Sequence, residues 1–178
     1  MIILGLDAAT KKSGISIFDN TELIYYDKFE IKDKDLEPRD RMKLIYSEIK
    51  RLYSLYHFDT IIMEDVPINS NNNLAVGKNL SILQGMVFAF CEQVNIVQTL
   101  YAPSAWRSII GTYDGTREGM KRENQKKKAV ETVNNIYGLN LNYCQNDNKS
   151  QNSDDDIAEA ILIARAYMKE VGLVWAKL

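Results

Sequence analysis

The stretch from residue 153 to 164 reads S-D-D-D-I-A-E-A-I-L-I-A, and it joins acid chemistry to helical spacing. Asp156 and Glu159 are three residues apart, so on a helix they share a face. Ala160 and Ile163 continue that face. A solvated acidic face would continue into polar residues, whereas this one turns apolar. One reading is a helix start. Ser153 followed by Asp156 has capping-box spacing, and early carboxylates complement the positive end of the helix dipole. Capping accounts for Ser153 and for two of the three aspartates, but not for Glu159, which lies beyond the first turn on the inward side. The other reading is an oxygen-rich acidic site. The stretch alone leaves both open.

Two more acids close apolar runs. Asp7 ends I-I-L-G-L-D, and Glu64 ends D-T-I-I-M-E. If those strands are neighbours and parallel, both carboxylates emerge at the carboxyl edge of the sheet, where open α/β sheets place their sites. The final helix could bring Asp156 and Glu159 over the same edge, with Asp155, four residues from Glu159, in reserve. Clustered carboxylates repel unless cations sit among them, and all-oxygen ligands suit Mg²⁺ or Mn²⁺. Two such ions about 4 Å apart are standard apparatus for in-line phosphodiester hydrolysis. No histidine or thiol is required. The chain has one histidine, His57, and two distant cysteines, Cys91 and Cys144. That argues against zinc and against a disulfide framework, and it suits a reducing, cytoplasmic compartment. His57 reads as a surface residue at a helix end.

The elements that must position these acids follow from periodicity. Residues 2–7, 15–18 and 21–31 read as strands with short polar links, an antiparallel meander. Residues 37–56 read as a helix with its apolar face on Met42, Leu44, Ile45, Ile49, Leu52 and Leu55. A strand at 59–63 is expected beside the first and parallel to it. Residues 69–73 form an asparagine-rich loop. The helix at 74–92 is apolar over most of its circumference, with Gly77, Ser81, Gly85 and Ala89 forming a ridge of small residues. Such a helix is buried from more than one side, either within its own core or against a second subunit. A strand at 95–101, a short helix opened by Pro103, and a basic helix at 121–137 with Ala129, Val130, Val133 and Ile136 inward precede the acidic helix. The expected fold is α/β: a mixed five-stranded sheet, three antiparallel strands then two parallel, flanked by helices.

At 178 residues, 46% apolar and 26% charged, the chain reads as one globular domain, 1–178. No apolar run is long enough to span a membrane, and the amino terminus lacks a signal peptide's basic region. The net charge of −2 does not announce a polyanion binder. Its distribution is more telling: between Arg117 and Lys128 six basic residues face only Glu118 and Glu123. Lysines at the start of a helix oppose its dipole, which favours a ligand role for Lys126, Lys127 and Lys128 over a merely solvated face. Trp106 reads as core, not as a base-stacking platform.

The ordered set I-I-L-G-L-D, I-I-M-E-D-V around Glu64, Leu83-Gln84-Gly85, K-K-K-A-V and D-I-A-E-A-I-L-I-A resembles the RuvC Holliday-junction resolvases of the RNase H-like nuclease group, more a phage or viral branch than the bacterial one. The resemblance covers nearly the whole chain. It implies metal-binding acids at Asp7, Glu64, Asp156 and Glu159, and supporting basic residues at Arg107 and Lys127. Arg107 and Lys127, with Arg117, Lys121, Arg122, Lys126 and Lys128, would contact DNA. It further implies two Mg²⁺ or Mn²⁺ ions per site and a homodimer built on the helix at 74–92. The substrate would be branched DNA, nicked symmetrically to leave 5′-phosphate and 3′-hydroxyl ends, in a host's cytoplasm if phage-encoded. Alternatives within the same resemblance are a nuclease for RNA–DNA hybrids, flaps or other branched replication intermediates, or a junction-binding protein with a weak site. The chain departs from the bacterial pattern at Ala8-Ala9-Thr10, where Pro-Gly-Ser is usual, and at Glu159, where Asp is usual. It also has Pro67 near where bacterial enzymes insert an aromatic residue into the junction.

Overall fold

A computed structural model describes residues 1–33, 35–66, 74–113, 115–144 and 153–174. The asparagine-rich loop at 69–73 and Pro67 lie outside the described residues. Strand β1 (Ile2–Asp7) is central in a five-stranded sheet of order β3-β2-β1-β4-β5. On one side it pairs antiparallel with β2 (Lys12–Asp19), which pairs antiparallel with β3 (Glu22–Glu30). On the other it pairs parallel with β4 (Thr60–Glu64), and β4 pairs parallel with β5 (Val97–Tyr101). The expected mixed sheet is thus the observed one. Strand β2 starts three residues earlier than its apolar run, at Lys12, because ladder bonds to β3 pair Lys12 with Glu30.

Two cores cover the two faces, and strand alternation sorts the residues between them. Leu4 and Leu6 of β1, with Ile15 and Ile17 of β2 and Ile61 and Met63 of β4, pack against α1 (Pro38–Tyr56) and α2 (Leu74–Val94). Ile3, Phe18 and Ile62 face α3 (Pro103–Ile110), α4 (Arg122–Tyr137) and α5 (Asp155–Glu170). In α1 the residues Met42, Ile45, Ile49 and Leu52 are buried, while Leu44 and Leu55, expected inward, are 45% and 60% exposed. They fall off the 3.6-residue stripe that meets the sheet.

The helix buried almost all round is α5, not α2. From Ile157 to Ala164 every residue is buried, because α5 lies across β1 and β2 with α3 and α4 packed on its other sides. Its backbone comes unusually close to the sheet, and two glycines permit this. A Cβ on Gly5 would stand 2.3 Å from the carbonyl oxygen of Ala160, and one on Gly14 would stand 1.8 Å from that of Asp156. Between them Ser16, fully buried, donates its hydroxyl to the Ala160 carbonyl at 2.9 Å. Three small residues thus make a trough in which α5 sits.

Candidate active site

Strand parity decides which acids can meet. Asp7 lies two and four residues beyond Gly5 and Ile3, so it shares their α5-facing side, and Glu64 shares that of Ile62. The parallel register pairs Gly5 with Ile62 and Leu6 with Met63, which brings the two carboxylates to neighbouring strand ends. The α5 trough does the rest. With the Asp156 carbonyl lodged over Gly14, the side chains of Asp156 and Glu159 reach the same end of the sheet. Asp7, Glu64, Asp156 and Glu159 line one cleft of about 370 Å³, together with Arg107, Arg122 and Lys126. Asp155, the reserve candidate, is not in its wall. It is buried and paired with Lys126.

The expected capping box at Ser153 does not form. The helix cap is Asp154, with no side-chain bond to the helix start. Instead the Ser153 hydroxyl accepts the Cys144 N–H at 3.4 Å, and Asp154 takes the Lys28 ammonium at 2.8 Å and the Asn142 N–H at 3.0 Å. These groups tie the acidic turn to β3 and to the segment before it.

Three acids of the cleft have side-chain partners, and the fourth has none among the described residues. Trp106 donates its indole N–H to Glu64 Oε2 at 2.8 Å, and Arg107 Nη1 stands 3.5 Å from the same oxygen. Arg107 Nη2 meets Glu159 Oε1 at 2.5 Å, and the pair is buried. Lys12 Nζ holds Asp156 Oδ2 at 2.8 Å, with Lys126 Nζ 3.6 Å from Oδ1. The Asp7 carboxylate has no hydrogen bond or ion pair to a described residue. Burial, then the charges of Glu159, Glu64 and Asp156, push its carboxyl well above the ordinary carboxylate range, against a smaller pull from Lys126. Burial also raises Glu159, opposed by Arg107 and aided by the charge of Glu64. Burial works on Asp155 in the same sense, but the hydrogen bonds from Lys126 and Ser153 outweigh it and hold that carboxyl low.

Among the described residues, no three acidic, histidine or cysteine side chains are already arranged to hold a metal ion. The reason is visible in the pairs above: Glu159 and Glu64 turn to Arg107, and Asp156 turns to two lysines. The donor chemistry nevertheless fits a hard divalent cation, since a half-buried carboxylate without a counter-charge, ringed by three others, is what such an ion relieves.

The basic residues divide differently from expectation. Lys126, not Lys127, reaches the acids. Lys127 is exposed and stands 3.8 Å from Glu131 on its own helix. Helix phase explains the swap: Ala129, Val130 and Val133, the buried face of α4, lie three, four and seven residues beyond Lys126. That signal was present in the sequence. Arg107, expected among the DNA contacts, is buried against the acids, with its guanidinium 4.2 Å from the Trp106 ring centre. Arg122 lines the cleft. Arg117 and Lys121 are exposed, Lys121 is paired with Glu118, and Lys128 is half-buried. Lys12 and Trp106 were missed. Neither residue type announces a carboxylate partner more than forty positions away.

A mixed sheet of this order, with acids at the ends of its first and fourth strands and on its last helix, defines an α/β protein with a carboxylate-lined cleft at the edge of its sheet. No family model matches the chain. It is 24% identical to the crossover junction endodeoxyribonuclease RuvC of Fusobacterium nucleatum, over 97% of this chain and 82% of that protein. Its fold is that of Thermus thermophilus RuvC, solved in complex with a Holliday junction substrate, at a TM-score of 0.68 and 12% identity over 97% and 98% of the two chains. The yeast mitochondrial Holliday junction resolvase Ydc2 shares the fold at a TM-score of 0.58 and 15% identity, over 96% of this chain and 79% of its own. The chain is therefore similar to RuvC along its length and has its fold.

Proposed function

We propose that this chain is a single-domain, structure-selective DNA endonuclease that resolves four-way junctions by paired symmetric nicks. The observation that carries the reading is the convergence of Asp7, Glu64, Asp156 and Glu159 on one cleft whose wall also holds Arg107, Arg122 and Lys126. The likeness to RuvC supports the choice of substrate. Asp7, Glu64, Asp156 and Glu159 would hold two Mg²⁺ or Mn²⁺ ions, which when bound activate water and neutralise charge at the scissile phosphate. The rest is work for the chain's own side chains. Burial lowers the affinity of Lys126 for its proton, but the hydrogen bond it donates to Asp155 and the charges of Asp155, Asp156 and Glu159 outweigh it. Its ammonium stays charged beside the path of a phosphodiester. Arg107, anchored on Trp106, holds Glu159 and Glu64 in the cleft and serves as their counter-charge. Arg117, Lys121, Arg122, Lys127 and Lys128 continue the positive surface for the DNA backbone. Hydrolysis in this sense leaves 5′-phosphate and 3′-hydroxyl ends.

Paired nicks need paired sites, and α2 supports a homodimer. Phe88 is 56% exposed, Val76 40% and Ile82 38%, beside exposed Ser81, Gly85 and Ala89. Burying a large apolar side chain is worth about 1.5–3 kcal/mol, so a helix that leaves these outward is built to be covered. No described helix is long and apolar enough to cross a membrane, and both cysteines are free, in keeping with a cytoplasmic place.

One observation favours a second reading. Glu159 is committed to Arg107 in a buried pair, as in a junction-binding protein whose site has fallen silent. Incubating the protein with synthetic four-way junctions, RNA–DNA hybrids, flaps and linear duplex, with Mg²⁺ or with chelator, separates the readings. Symmetric Mg²⁺-dependent nicks in the junction are expected. Preference for the hybrid or flap would move the substrate, and tight binding without cutting under Mg²⁺ or Mn²⁺ would establish the silent site.

A further inference from the structure

Trp106 is fully buried and touches the site without being an acid, a base or a DNA-facing group. A tryptophan that only filled the core could be matched by phenylalanine, because packing asks for an apolar body and not for the indole N–H. Here the N–H is spent on a carboxylate of the cleft: Nε1 donates to Glu64 Oε2 at 2.8 Å. The nearby Nη1 of Arg107, 3.5 Å away, falls on that same oxygen. Among the described residues, both side-chain contacts of the Glu64 carboxylate are thus on Oε2, and Oε1 is left free. The helix that carries the indole is pinned at both ends. Pro103 opens α3, and Gly111 closes it with φ +88°, its N–H returning to the Arg107 carbonyl.

We propose that Trp106 is a positioning residue for Glu64, fixing Oε2 so that Oε1 is presented to a divalent cation in the cleft. The choice of donor has a physical logic. An indole N–H has no net charge and does not titrate, so it sets the rotation of a carboxylate without competing with the cation for it. Arg107 supplies the opposite kind of contact: a full charge that a cation must displace. Partners that orient metal-binding carboxylates act in this way, and their loss typically costs ten- to hundredfold in metal affinity.

The inference rests on the reading of Glu64 as a cation ligand, and the test separates the two. Mn²⁺ binding is measured by calorimetry on the full chain as wild type, Glu64→Gln and Trp106→Phe, with melting temperatures alongside. The expected result is loss of the Glu64-dependent binding in E64Q, and binding ten- to hundredfold weaker in W106F. Wild-type Mn²⁺ affinity in W106F, with E64Q defective, overturns the positioning role and leaves the site reading intact. Wild-type affinity in E64Q overturns both. A second measurement on the wild type alone guards against a W106F protein that does not fold. The Trp106 indole N–H resonance should move during a Mg²⁺ titration with the midpoint of the calorimetric curve. A resonance that stays still overturns the proposal.

Discussion

In the proposed reaction, Asp7 is the residue on which the chemistry turns. It sits half-buried among three other carboxylates with no bound counter-charge from a described residue, and its proton is held well above the ordinary carboxylate range by desolvation and by those neighbours. Replacing it with asparagine removes the charge but keeps the shape. Asp7→Asn should lose cleavage by on the order of a hundredfold or more while binding a four-way junction as before, and gel assays of both read this directly. Unaffected cleavage would remove Asp7 from the site. A pH dependence follows from the same burial. Because Asp7 and Glu159 are raised in the folded chain, their contribution to stability is fully present below the ordinary carboxylate range. It is lost as pH rises through the raised values. A divalent cation competes with the same protons. The rise in melting temperature on adding Mg²⁺ should therefore grow with pH across the window above the ordinary carboxylate range. It should be flatter in Asp7→Asn, and an increment independent of pH would contradict the account.

At the scale of elements, helix phase and close approach make separate statements. Lys126 and Lys127 are adjacent in sequence but about 100° apart on α4, so their substitutions should differ in kind. Lys126→Ala leaves Asp155 buried without its ion-pair partner and should cost about 2 kcal/mol of stability as well as cleavage rate. Lys127→Ala should leave the melting curve in place and weaken DNA binding only modestly. Equal effects would mean that α4 is rotated from its position here. Gly14 tests the trough. A Cβ there would meet the Asp156 carbonyl at 1.8 Å, a backbone atom that cannot swing aside. Gly14→Ala should cost about 3 kcal/mol. Any protein that still folds should cut poorly because Asp156 and Glu159 have moved with the helix. A stable, fully active G14A would show that α5 does not set the acids.

At the scale of the whole molecule, the proposed function makes the outward face of α2 the place of assembly and the basic surface the place of substrate. Gly85 has open space around its Cβ position, so Gly85→Arg should be accepted by the protomer. Removing a mid-helix glycine even favours the helix by up to about 1 kcal/mol. In the homodimer proposed above, the same side chain would meet the partner. Sedimentation should give a folded monomer that makes single, unpaired nicks, whereas an unchanged dimer would place the interface elsewhere. Phosphate contacts along the α3–α4 segment should make junction affinity fall steeply with salt, and each basic residue removed should lower that slope by about one.

The sequence by itself determined the elements and the edge of the sheet at which chemistry gathers. Apolar runs ending in Asp7 and Glu64, and a helix with Asp156 and Glu159 three apart, are local patterns, and local patterns survive folding when burial follows the same period. The strand order was legible for the same reason, since short links demand antiparallel neighbours and a helical crossover allows a parallel one. What only the tertiary structure decided is how those elements are turned against each other. Sequence periodicity marks a buried face but not what covers it. The apolar α2 therefore leaves Phe88 and Ile82 outward, while α5, with two aspartates in its first turn, is the helix enclosed on every side. The same holds for partners: Trp106 on Glu64, Arg107 on Glu159 and Lys12 on Asp156 join residues 42, 52 and 144 positions apart. No period in a chain encodes such meetings. They follow from how the helices pack on the sheet, and the packing of α5 onto Gly5 and Gly14 decides which of three consecutive aspartates faces the cleft.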